Sequence, residues 1–284
     1  MIEFAEVNDF NTDHIFDCGQ CFRWSREADG SYTGIAGDKI ANIAYNGRNV
    51  LIDNADEKDT EFWRHYLDLD RDYGRIKKTL AAGDEIIGRA IDYGQGIRLL
   101  NQDRWETIIS FIISQNNNIP RIKGCIENLC SSFGEYAGTY RGRDYYKMPE
   151  PQVLASLDVQ QLEPVRLGYR AKYLIATAER IVNDGGRLFL DSSFDENTPA
   201  DTVYEYLTGL CGVGPKVANC IMLFCMQQYD SFPVDVWVKR VMNRLYGFDE
   251  ADIKGMKKFA ADNYMNLGGF AQQYLFYYIR SLEK

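Results

Sequence analysis

The stretch Leu210-Cys-Gly-Val-Gly-Pro-Lys216 lies between two segments of helical apolar spacing, Pro199 to Leu210 with Thr198 as cap, and Pro215 to Gln228. Gly212 and Gly214 permit a tight hairpin that leaves backbone amides open at the start of the second helix. Such amides, aided by the helix dipole, attract an anion such as a phosphate without any side-chain charge. Taken alone, a Gly-x-Gly between helices is better read as an ordinary αα-turn, and needs corroboration from its neighbours. Lys216 adds a second signal, because a cation in the first helical turn opposes the dipole where local stability prefers an acid. Cys220 follows on the same face, and Ile221, Leu223 and Phe224 make the helix apolar, an environment that desolvates an amine and turns it into a usable nucleophile. The plainer alternative is a lysine that reaches out to solvent.

Working outward, Phe232-Pro-Val-Asp235-Val-Trp237 precedes a further helix, Asp235 to Tyr246, carrying Lys239, Arg240 and Arg244. Asp235 stands where a cap belongs, and capping alone would account for it. A carboxylate fixed in this way could also stabilise an oxocarbenium-like sugar as a base departs. Other helices are expected at Arg121 to Phe133, Arg170 to Asp184 and Gly269 to Leu282, and a capping box, Asp103 with Glu106, opens another through Ile113 that ends in the polar run Gln115 to Asn118. Before Asp59 the pattern differs: CFRWS, SYTGIAG, KIANIAY and NVLID read as short antiparallel strands between glycine turns. After it the chain reads as helical nearly to its end. The expected class is α+β, a small N-terminal antiparallel sheet with flanking helices (1–97) packed on a mainly helical body (98–284) that holds the hairpin near 199–229.

Composition bounds the function. The chain has 284 residues, 45% hydrophobic and 26% charged, as expected of a soluble globular protein. Its longest apolar runs, Ile108 to Ile113 and Ile221 to Met226, fall far short of the roughly 18 residues of a membrane span. Seven irregularly spaced cysteines and an N-terminus without a secretory pattern suggest a reducing cytoplasm. A net charge of −9 argues at first against nucleic acid, but residues 1–97 hold −8 of it and residues 98–284 only −1. Arg166, Arg170, Lys172, Arg180 and Arg187 even make one segment locally positive. His14, Cys18 and Cys21 have zinc-like spacing but lack a fourth ligand, and the two histidines give little support to a histidine-dependent hydrolase.

Five further segments complete the pattern: Gly19-Gln-Cys-Phe-Arg-Trp24, Gly96-Ile-Arg-Leu-Leu-Asn-Gln-Asp103, Ser114-Gln-Asn-Asn-Asn-Ile-Pro-Arg121, Leu167-Gly-Tyr-Arg-Ala-Lys-Tyr173 and Gly269-Phe-Ala-Gln-Gln-Tyr-Leu-Phe276. Together with the hairpin and Val234-Asp235 they resemble the helix-hairpin-helix DNA glycosylase superfamily, most closely its eukaryote-type 8-oxoguanine DNA glycosylase/lyases, over almost the whole chain. The resemblance implies a base excision repair enzyme acting on double-stranded DNA that contains 8-oxoguanine opposite cytosine. No cofactor is implied, and the chain is expected to be a monomer in the cytoplasm, associated with the nucleoid if prokaryotic. Lys216 would attack C1′ and form a Schiff base, with elimination following, while Asp235 supports base loss.

The resemblance also assigns base recognition to the Gly19 carbonyl, Cys220, Gln272 and Phe276, the last two four apart on one helix face. Asn116, Arg121, Tyr169 and Arg170 would fill the space left by the flipped nucleotide and contact the orphaned cytosine. Gly212, Gly214 and Val217 would grip the DNA backbone, with a sodium or potassium ion held by the carbonyls of Thr208, Leu210 and Val213. Trp237 departs from the pattern, which has a phosphate-contacting histidine there; an indole N–H can donate but carries no charge. Two alternatives remain: a monofunctional glycosylase using Asp235 and water, against which Lys216 speaks, and a hairpin module that binds duplex without chemistry.

Overall fold

The four apolar segments expected as strands pair with one another and gain a fifth from the N-terminus. In the computed structural model, which describes residues 1–186 and 198–282, β1 (Ile2–Phe4), β2 (Trp24–Arg26), β3 (Tyr32–Ala36), β4 (Lys39–Tyr45) and β5 (Val50–Asp53) form one antiparallel sheet in the order β1-β5-β4-β3-β2. Arg187 of the basic segment lies outside the described residues. Helices α1 (Thr12–Phe16) and α2 (Thr60–Tyr66) cover the sheet, and their Phe16, Trp63 and Tyr66 surround the buried Trp24, whose indole N–H donates to the Tyr66 hydroxyl at 2.8 Å.

The body consists of α3 (Tyr73–Ala81), α4 (Glu85–Tyr93), α5 (Arg104–Ser114), α6 (Ile119–Phe133), α7 (Pro151–Ala155), α8 (Arg170–Asn183), α9 (Ala200–Thr208), α10 (Pro215–Cys225), α11 (Val236–Tyr246), α12 (Ile253–Tyr264) and α13 (Gly268–Leu282). Helix α5 opens as expected, with Asp103 accepting the Glu106 amide at 2.8 Å, and buries Ile108, Ile109, Ile112 and Ile113 completely in the core. Among the described residues no helix is long and apolar enough to cross a membrane.

The α+β class stands, with three corrections to its details. The body is not helical throughout, because β6 (Tyr136–Tyr140) and β7 (Arg143–Tyr146) form a hairpin. Its turn residues, Arg141 and Gly142, both take positive φ, 51° and 74°, as the tightest hairpins require. Helix α12 has no counterpart among the expected helices, since its lysines and Gly255 dilute the apolar spacing; Asp252 caps it through the Gly255 amide. Nor does residue 97 divide the cores: Ile76, Leu80, Ile87 and Ile91 of α3 and α4 join the core of the helical body, whereas Leu100 joins that of the sheet.

The segment from Cys18 to Trp24 passes between both cores. Cys18 and Phe22 bury themselves in the helical one, Cys21 and Trp24 in the sheet. This anchoring fixes the loop that presents Gly19 to the body.

Candidate active site

The hairpin between α9 and α10 uses its two glycines differently. Gly212 has φ +81°, and a Cβ there would stand 2.7 Å from the Tyr173 ring, so glycine is required by the fold. Gly214 has ordinary φ, −87°, and a Cβ there would meet nothing within 4 Å. What its smallness leaves open is the approach to α10. That helix has no side-chain cap, unlike α5, α6, α11 and α12. Pro215 lacks an N–H, and the amides of Gly214, Lys216 and Val217 have no acceptor among the described residues. On the carbonyl side, Cys211 accepts from the Thr177 hydroxyl and Gly212 from the Gln115 side-chain amide, each at 2.8 Å. Leu210 accepts the Val213 amide, while the Thr208 and Val213 carbonyls accept no hydrogen bond among the described residues. Unused carbonyl oxygens of this kind suit a hard monovalent cation.

Beside the hairpin lies a cavity of about 420 Å³ whose wall includes Gly19, Phe22, Phe111, Lys216, Asp235, Trp237, Phe276 and Arg280. The side chain of the half-buried Lys216 lines this cavity, its ammonium 5.5 Å from the centroid of the Phe111 ring. Phe111 is held in turn by stacking on Phe224 at 5.4 Å and by the edge of Phe22 at 5.7 Å. Asp235 caps α11 through the Val238 amide at 2.8 Å with one carboxylate oxygen; the other has no hydrogen-bond partner among the described residues. Capping thus leaves it half free for chemistry. Burial pushes the Cys220 thiol up; the Lys216 charge opposes this shift and the Asp235 charge adds to it.

Gly19 has φ +83°, and a Cβ on it would press to 3.1 Å from the Phe276 ring. Arg280, one turn further along the same helix face, holds its guanidinium 5.3 Å from the Phe276 centroid. Cys220 and Gln272, which the sequence grouped with Gly19 and Phe276, are buried and do not form part of the cavity wall. The Gln272 Oε1 atom is buried without a partner, an acceptor waiting for a donor. Trp237 does reach the wall, with the Arg240 guanidinium 4.8 Å from its ring.

The four residues assigned to the opposite base cluster at the end of α5, with their groups in different states. Asn116 is exposed in the left-handed conformation, φ +46°, and Tyr169 is exposed with its hydroxyl 3.4 Å from the Gln115 carbonyl. Arg121 is exposed at the start of α6, where Asn118 caps its amide. Arg170 is only 3% exposed and spends its guanidinium on the carbonyls of Leu167, Gln115 and Asn116. In this state it braces the loop and is not displayed; contact with a base requires its release. His14, Cys18 and Cys21 do not converge: the His14 Nδ1 accepts the Gly96 amide and the thiols donate to the Ile15 and Phe16 carbonyls.

Sequence reasoning missed Phe111, Phe22, Arg280 and Gln115. The two phenylalanines look like any core residue. Arg280 could have been found, four residues beyond Phe276 on the same helix face. Gln115 joins the hairpin carbonyl of Gly212 to the loop that Tyr169 and Arg170 hold, a link that appears only in three dimensions.

Residues 2–108 match the model for the N-terminal domain of 8-oxoguanine DNA glycosylase, and residues 109–263 that of the HhH-GPD superfamily of base excision DNA repair proteins. The chain belongs to this family of DNA glycosylases. A Clostridium acetobutylicum 8-oxoguanine glycosylase/lyase, solved with double-stranded DNA containing cytosine opposite 8-oxoguanine, is 41% identical and superimposes with a TM-score of 0.92 over 100% of this chain and 98% of that one. A probable N-glycosylase/DNA lyase of Methanothermobacter thermautotrophicus is 30% identical over 69% of this chain and 68% of its own length. The N-glycosylase/DNA lyase of Saccharomyces cerevisiae is 42% identical over 54% of this chain, a match spanning only 42% of the yeast protein. The glycosylase architecture therefore extends over both the sheet and the helical body.

Proposed function

We propose that the chain is a bifunctional 8-oxoguanine N-glycosylase and DNA lyase that acts on duplex DNA with cytosine opposite the lesion. The observation that carries this reading is the convergence of Lys216, Asp235, Gly19 and Phe276 on one cavity beside an uncapped helix. The flipped base enters the cavity and stacks on Phe276. The Gly19 carbonyl accepts the N7 hydrogen that 8-oxoguanine has and guanine lacks, and the Gln272 Oε1, once its side chain turns from its buried position to the cavity, accepts from the Watson–Crick edge. The Lys216 amine attacks C1′ as the glycosidic bond breaks and its electron pair leaves with the base; Asp235 stabilises the positive charge that develops on the sugar. The sugar ring of the resulting C1′ amine adduct then opens: the C1′–O4′ bond breaks, the nitrogen lone pair forms the imine and O4′ takes up the proton that the nitrogen gives up. The imine acidifies the C2′ hydrogen, whose removal expels the 3′ phosphate.

Binding follows from the hairpin. A DNA phosphate completes the cap of α10 on the amides of Gly214, Lys216 and Val217, and the carbonyls of Thr208, Leu210 and Val213 would hold a monovalent cation that adds positive charge there. Asn116, Arg121, Tyr169 and, once released, Arg170 read the orphaned cytosine. The test is borohydride trapping on duplexes with 8-oxoguanine opposite cytosine, beside undamaged DNA. A lesion-dependent covalent adduct that Lys216→Gln loses is expected. Base release without an adduct would favour the monofunctional alternative, and binding without either product would reduce the chain to a binding module.

A further inference from the structure

Three glutamines converge on the backbone around Gly19. Gln273, 1% exposed, donates its side-chain amide to the Cys18 carbonyl at 2.7 Å. Gln102 donates to the Gln20 carbonyl at 2.8 Å. Between them the buried Gln20 side chain donates to the Ile15 and Arg98 carbonyls at 2.9 and 2.8 Å and accepts the Leu100 amide at 2.9 Å. The carbonyls before and after Gly19 are thus each held by a glutamine amide. The carbonyl of Gly19 itself receives no hydrogen bond among the described residues, although Gly19 lines the cavity.

This arrangement bears on selectivity. A peptide next to glycine flips easily, because the paired rotation of the glycine ψ and the following φ meets no Cβ on the glycine. Flipping the Gly19–Gln20 peptide would exchange the Gly19 carbonyl for the Gln20 N–H at the cavity wall. The two groups favour opposite bases: a carbonyl accepts from a protonated purine N7, whereas an N–H donates to the N7 lone pair of guanine. Glycine at position 19 does not decide between these orientations. The neighbouring peptides can, since with both their carbonyls held they cannot shift to accommodate a turned Gly19–Gln20 peptide.

We propose that Gln273 and Gln102 are positioning residues that lock the Gly19–Gln20 peptide with its carbonyl toward the cavity and so set the preference for a purine protonated at N7. The proposal rests on reading the cavity as the lesion pocket. One helix, α13, then supplies both the reader of the base edge, Gln272, and the strut behind the Gly19 loop, Gln273.

The experiment compares wild type with Gln273→Leu and Gln102→Leu, which remove the donors at similar volume. Three quantities are read: single-turnover base release from an 8-oxoguanine:cytosine duplex, cleavage at a preformed abasic site opposite cytosine, and competition by undamaged duplex. The abasic substrate needs Lys216 but has no base for Gly19 to read. The expected result is base release slowed about tenfold, the worth of one hydrogen bond of about 1.4 kcal/mol, with stronger competition by undamaged DNA and abasic-site cleavage unchanged within about twofold. Wild-type selectivity in both variants overturns the proposal, as does equal slowing of base release and abasic-site cleavage. If circular dichroism shows Gln273→Leu unfolded, the half-buried Gln102→Leu decides alone. A wild type that does not prefer 8-oxoguanine to guanine instead overturns the reading of the pocket.

Discussion

Gly212 and Gly214 stand two residues apart, yet substitution at each should affect a different property. Gly212→Ala places a methyl against Tyr173 at positive φ and should cost roughly 1–3 kcal/mol in urea denaturation. Gly214→Ala adds a methyl to open space at ordinary φ, so stability should stay within about 0.5 kcal/mol. Duplex binding should nevertheless weaken by up to about tenfold in a titration, because the methyl crowds the open amides at the start of α10. Unchanged binding by Gly214→Ala would remove the phosphate from the hairpin. The same scale shows which residues a sequence can disclose. Lys216 was legible because it breaks the dipole rule, and Asp235 because a cap was needed there. Phe111 and Gln273 break no local rule; their roles exist only through what packs beside them.

Helix α5 shows how an element can be read correctly at one end of a motif and not at the other. Asp103 caps the Glu106 amide as expected, but the Glu106 carboxylate does not return to the cap and instead faces Arg23 of the Gly19 segment at 3.4 Å. A capping box is local and an ion pair over this sequence distance is not, so only the first could be foreseen. The pairing predicts a pH dependence. Burial pushes the Glu106 carboxyl up to about 7 despite the opposing pull of Arg23. A folded value above the ordinary one, 4.5, means that the native state binds the extra proton. That contribution to stability is full below the ordinary value and is lost as pH rises through the folded one. The urea midpoint should therefore fall from about pH 5 to about pH 8. In Glu106→Gln the fall should be smaller, with Asp103, also raised by burial, still titrating in the same direction. Equal slopes in the two proteins would show that Glu106 stays ionised throughout. The β6–β7 hairpin belongs to this scale too, since its Arg141-Gly142 turn gives a sequence signal that many loops share.

Over the whole molecule, composition came close to hiding the partner. A chain of net charge −9 looks unfit for DNA until its acidity is located, nearly all of it in residues 1–97, with the remainder close to neutral at −1. Motifs scattered from Gly19 to Phe276 made the fold legible; the contacts that join them across the sheet and the body were not, because they link segments far apart in sequence. If, as proposed, a near-neutral body holds phosphate on helix-end amides, a thermodynamic prediction follows. Counterion release depends on the cationic charges set against phosphates, with a slope of about −0.9 in log K against log salt for each one neutralised in duplex DNA. Amide contacts add affinity and comparatively little slope. With Arg280, Arg240 and Lys216 as the cations at or beside the cavity, the expected slope for lesion-containing duplex is about −2 to −4, shallower than for a basic DNA-binding protein that makes six to ten phosphate contacts. Fluorescence anisotropy over a range of potassium chloride concentrations measures it. A slope near −6 or steeper would mean that surface lysines and arginines grip the backbone, and that the uncapped start of α10 is a minor contributor.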